Sequence, residues 1–192
     1  MNQKNDARQY LMRQNLLLIE QGLQVIGMIS ADDYVRVPDM AIVEKGSPGC
    51  HFRHVANFYE QLFSPERYSV NYGNRSRDSN IERSREAAEV LFIRLRKELA
   101  RCLESAASCP AIQSICINGE AEAQYTIETC LNRELLAVAA HSIHHYAHIS
   151  FILRGWNYEP PRNFGVAPDT PASDTPARDT AENDTLARVV SG

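Results

Sequence analysis

TCLNRELLAVAAHSIHHYAHISFILRG, residues 129–155, decides the fold. Leu131, Leu135, Val138, Ile149, Ile152 and, just beyond, Trp156 share one direction on a helical wheel, the mark of an apolar stripe. Thr129 stands where such a helix would be capped and Gly155 where it would stop. The same wheel distributes the histidines. His145 falls inside the stripe, His141 and His148 at its edges, and His144 further toward solvent. His141 and His145 are four residues apart, so their side chains are neighbours on one face.

Reading outward, CHFRHVANFYEQLF (50–63) carries the remaining two histidines, His51 and His54. Ser47 followed by Pro48 is an N-cap with proline at the first helical position. Val55, Tyr59 and Leu62 form the inner face, and Ser64-Pro65 ends the helix. Upstream, Leu11, Leu16, Ile19, Leu23, Ile26 and Ile29 place a first helix over about 6–30. Downstream, Ile81, Ala88, Leu91, Leu95, Leu99 and Leu103 place a third from near Ser79 to about Ala106. Residues 64–78 hold no strong period. Residues 112–129 alternate polar and apolar around Asn118-Gly119, a small hairpin signal. Four long helices with a long crossover between the second and third imply an all-α four-helix bundle with a hairpin-like insertion before helix four.

That domain spans residues 1–168. From Asp169, DTPAS-DTPAR-DTAEN-DTLAR repeats every five residues with few large apolar side chains. Such a segment cannot offset its ordering entropy, so 169–192 is expected to be a disordered tail.

Composition narrows the function. The chain has 192 residues, 23% of them charged, and a net charge of −4, which supplies no basic face for nucleic acid. Arg75, Arg77, Arg83 and Arg85 cluster, but Asp78, Glu82, Glu86 and Glu89 are interleaved with them and suggest a salt-bridged surface. No apolar run reaches the ~20 residues of a membrane span, and the N-terminus has no signal-peptide core. Cys50, Cys102, Cys109, Cys116 and Cys130 are odd in number and contain no C-x-x-C, which fits free thiols in a reducing cytoplasm. Pro110 makes chance the better reading of the seven-residue spacing among Cys102, Cys109 and Cys116.

All six histidines therefore sit on two helices, and two histidine-bearing helices suggest one shared site. H-x-x-x-H alone is a weak signal, because a histidine on an apolar helix face is often held by a backbone carbonyl. An inward-facing His141/His145 pair plus a donor from helix two is nonetheless the three-ligand arrangement of a metal site with an open position. The motif is not H-E-x-x-H, so a metalloprotease reading is poor. No carboxylate lies in the C-terminal cluster to act as a general base for hydrolysis. On the wheel of helix two, His51 lies nearer the inner direction than His54, and periodicity alone favours His51 as the third donor.

His54-Val55-Ala56-Asn57 and His141-Ser142-Ile143-His144-His145 resemble the motifs of the DinB/YfiT-like superfamily, with asparagine where aspartate is usual. Arg75-Ser76-Arg77-Asp78, Ile81-Glu82, Arg85, Arg133-Glu134 and Asn163-Phe164-Gly165-Val166-Ala167-Pro168 extend the resemblance, which covers about 10–168. It implies an up-down-down-up course and metal ligands His54, His141 and His145, with His51 and His148 as candidates to orient them. It also implies a divalent transition metal such as zinc, nickel or iron. The implied activity is metal-dependent transfer of a low-molecular-weight thiol (bacillithiol, mycothiol or glutathione) to a small-molecule substrate, in a cytoplasmic homodimer. The alternative is a non-catalytic, stress-related bundle with a structural or vestigial metal site.

Overall fold

Ser47 Oγ accepts a hydrogen bond from Cys50 N at 3.1 Å, with Pro48 in the first turn, and α3 runs Pro48–Phe63 as the cap signal requires. In the computed structural model, which describes residues 3–39, 46–64, 68–73, 78–118, 124–167 and 170, the other long helices are α1 (Gln3–Met28), α5 (Arg85–Glu104) and α6 (Leu131–Gly155). Helix α1 packs on α5 and α6, and α3 packs on the same two, so the four long helices share one core. Arg75, Ser76, Arg77, Gly119 and, apart from Thr170, the repeat tail lie outside the described residues.

The core faces follow the periodicity. Val55, Tyr59 and Leu62 on α3 are fully buried, as are Leu135, Val138, Ile149 and Ile152 on α6. Two inner positions of α1 are not apolar. Asn15 is fully buried; its Nδ2 donates to Leu11 O at 2.8 Å and Leu135 O at 3.1 Å, and its Oδ1 accepts from Tyr59 Oη at 2.9 Å. This side chain ties α1, α3 and α6 together while satisfying its own polar atoms. At Gly22, a Cβ would lie 2.5 Å from Tyr146 Oη and 2.7 Å from Phe92 Cε1, so α1 can approach α5 and α6 closely only with glycine there.

Three features depart from the sequence expectation. A short helix, α2 (Ala31–Val35), follows α1; Ser30 caps it, and Tyr34 is buried with its hydroxyl donating to Ile81 O at 2.8 Å. The expected third helix is broken into α4 (Ser79–Arg83) and α5, because Ser84 adopts extended backbone and its Oγ accepts from Ala87 N at 3.1 Å. Ser84→Ala should lower stability by about 1 kcal/mol in chemical denaturation, the usual loss for an N-cap.

The third departure is a sheet, which makes the fold mainly helical rather than all-α. The expected hairpin is present as β2 (Ser114–Asn118) antiparallel to β3 (Gln124–Glu128). The crossover adds β1 (Ser69–Val70), parallel to β2 with Ser69 opposite Ser114. Two residues are too few to display a period of two, which is why residues 64–78 read as structureless. Thr129 is not the cap of α6. That position belongs to Cys130, which makes no side-chain cap bond, and the Thr129 hydroxyl goes to Glu134 instead. No helix among the described residues is long and apolar enough to cross a membrane.

Candidate metal centre

His54 reaches the site from α3, and His141 and His145 reach it from α6. One ring nitrogen from each lies within 4.8 Å of the others. The ring centroids are 4.9 Å apart for His54–His141 and 4.5 Å for both His54–His145 and His141–His145. The i, i+4 spacing puts the two α6 rings one turn apart, and packing of α3 on α6 brings His54 between them. His145 is buried, while His54 and His141 are half-buried.

A cavity of about 580 Å³ opens at this cluster. Among the described residues its walls are five histidines, at positions 51, 54, 141, 144 and 145, together with Gly46 and Cys50. The donors among these described residues are imidazole and thiol, which suit a transition metal rather than calcium or magnesium. Burial, reinforced by the neighbouring His141, His54, His51 and His144, pushes the His145 pKa from 6.5 down to about 2. His145 therefore stays neutral throughout the physiological range, the state a metal ligand requires.

The same shift bears on stability. Above pH 6.5 His145 is neutral whether the chain is folded or unfolded and contributes no pH dependence. Below 6.5 the unfolded chain takes up a proton that the folded chain refuses, so stability falls as pH falls. The metal-free protein should lose stability steadily between pH 6.5 and 4 in urea titrations, and His145→Gln should flatten that decline.

His51 is more deeply buried than His54, as its position on the wheel implied, but it is not one of the three converging rings. Its Nδ1 lies 3.0 Å from His145 Nδ1. One ring of that pair donates and the other accepts. With His145 Nδ1–H as the donor, the lone pair of His145 Nε2 is left for the cluster, the usual way a neighbour fixes a ligand's tautomer. His148 stacks on His51, with centroids 5.6 Å apart and planes 6° apart, and its Nε2 meets His144 Nε2 at 3.2 Å. His144 is exposed, as expected from the wheel, yet it also borders the cavity.

On the far side, Phe58 lies against His141 with centroids 3.9 Å apart and stacks on Tyr72 at 4.7 Å. Tyr72 Oη donates to Glu134 at 2.9 Å, and Thr129 Oγ1 donates to the same carboxylate at 2.6 Å. Burial and the adjacent Glu134 push the Tyr72 hydroxyl well above its ordinary range, so it remains a donor. Glu134 is fully buried, and its neighbour Arg133 contacts it at 3.3 Å. Arg75 and Arg77 of the arginine cluster lie outside the described residues. No sequence signal marked Tyr72 or Phe58: they come from different elements, and an aromatic at helical spacing reads as ordinary core.

All five cysteines are free thiols. Cys50 borders the cavity, and Arg53 Nη2 approaches its sulfur at 3.7 Å while Arg53 Nε pairs with Glu82 at 2.9 Å. The arginine thus links α3 to α4 beside the site. No family model, curated protein or solved structure matches the chain.

Proposed function

We propose that the chain is a DinB/YfiT-like metalloprotein, an up-down-down-up four-helix bundle that uses His54, His141 and His145 to bind a divalent transition metal. The proposed activity is transfer of a low-molecular-weight thiol to a small electrophile. The observation that carries this reading is the convergence of three histidine rings from two helices at the wall of one cavity. Three neutral imidazoles fit zinc, nickel or iron(II).

A divalent ion held there would supply deprotonation of a coordinating thiol, and thiolate is the reactive nucleophile. The protein's own residues supply the rest. His145 stays neutral because it is buried, and His51 holds its ring in place. Phe58 limits rotation of His141 by packing closely against it, the two planes tilted by 33°. A cavity of about 580 Å³ is in the range that encloses small ligands.

The test is to purify the protein, load it with zinc, nickel or iron(II), and follow loss of thiol in the presence of glutathione and a chromogenic aryl halide. Metal-dependent turnover that disappears in His54→Ala supports the proposal. Stoichiometric metal without any thiol-dependent turnover, across bacillithiol, mycothiol and glutathione, would favour a structural metal in a non-catalytic bundle.

A further inference from the structure

His144 and His148 are not part of the three-ring cluster, yet they form a donor pair of their own. They are one turn apart on α6, and their Nε2 atoms lie 3.2 Å from each other. Nitrogen ligands bind zinc at about 2.0–2.1 Å, so two nitrogens at this separation subtend roughly 100° at a shared ion, close to a tetrahedral angle. His148 is held flat against His51, which reduces the rotamer freedom lost when its nitrogen takes a ligand. His144 borders the same cavity as the three-histidine cluster and is also open to solvent.

We propose that His144 and His148 form a second, weaker binding site for a zinc-like divalent cation, at the mouth of the cavity and separate from His54, His141 and His145. The ring that presents N–H at Nε2 shifts that proton to Nδ1, and both lone pairs then face the metal. The remaining positions on the ion are open to water or to an anionic ligand entering the cavity.

Electrostatics sets the order of filling. Among the described residues lining the cavity none is a carboxylate, so none of them offsets the repulsion between two dications held there. The three-donor site therefore fills first, and its occupancy weakens the exposed pair. Removing the inner site should strengthen binding at the outer one, because coupling between two binding sites is reciprocal.

The experiment is zinc titration by calorimetry, with zinc analysis after equilibrium dialysis, on the wild-type protein and three variants. Wild type should take up two ions per chain. His144→Ala and His148→Ala should each take up one ion, in the tighter phase; His144→Ala leaves the affinity of that phase unchanged, whereas His148→Ala weakens it through the lost stack on His51. His141→Ala should retain one ion, bound several-fold more tightly than the weak phase of wild type. His144 is exposed and His148 half-buried, and circular dichroism checks that both variants fold. One ion in both wild type and His144→Ala would overturn the second site while leaving the three-histidine site intact. Two ions in both would place the second elsewhere and would also overturn it. One ion that survives His141→Ala but not His144→Ala would keep the outer site and reject the inner one.

Discussion

His145→Ala is expected to weaken metal binding at the inner site by more than ~100-fold, measured by competition with a chromogenic chelator. Loss of a residue that merely orients a ligand costs 10–100-fold in affinity, and loss of a ligand exceeds that. His145 serves both ends of the arrangement: its ring meets those of His54 and His141, and its Nδ1 meets His51. Its replacement leaves two donors and frees His51 from the contact that aligns it. His51→Ala should fall in the lower range, 10–100-fold, because all three converging rings remain. The ranking of these two variants separates a ligand from its support. Equal losses would mean that His51 itself contacts the ion, and no loss in His145→Ala would remove the inner site altogether.

The contrast between His51 and His54 shows what periodicity can and cannot decide. A helical wheel orders residues by depth, and it placed His51 deeper than His54, as the structure does. Depth is not convergence. The rings of His141 and His145 reach the α3–α6 contact from one side, and a half-buried residue on α3 meets them there while the deeper one meets His145 at Nδ1 and stacks on His148. The motif likeness named His54 because a motif records position along the chain, whatever the depth.

The fold was legible where local chemistry decides it. Ser47-Pro48 set the start of α3, and the apolar stripe set the inner face of α6. It was not legible where a tertiary contact decides. Ser84 interrupts a continuous apolar period, and the interruption lets Ile81 O meet the Tyr34 hydroxyl. Thr129 was drawn away from its capping role by Glu134, a partner five residues on that an isolated N-cap rule does not consider. Asn15 and Gly22 sit inside the α1 stripe, yet they are invisible to a search for large apolar residues.

The second large effect is on stability. Phe52→Ala should destabilise the metal-free protein by about 3–5 kcal/mol, the usual loss when a fully buried aromatic is truncated. Phe52 lies one residue after His51 and contacts three other elements. It stacks with Tyr34 of α2 at 6.1 Å, meets Phe92 of α5 edge-on at 5.7 Å, and lies 6.1 Å from Tyr146 of α6. Tyr146 in turn donates to Leu18 O of α1 at 2.9 Å, so the cavity left by Phe52 would loosen contacts across the whole helix set. Metal should recover much of the loss. An ion that binds the folded chain alone adds RT ln(1 + [L]/Kd), about 2.7 kcal/mol at a hundred times Kd. Zinc at that excess should therefore raise the urea midpoint of Phe52→Ala substantially, and that of Phe52→Ala/His145→Ala far less. If zinc stabilised both equally, the ion would not be acting through the three-histidine cluster, and the link between the core around Phe52 and the site beside it would fail.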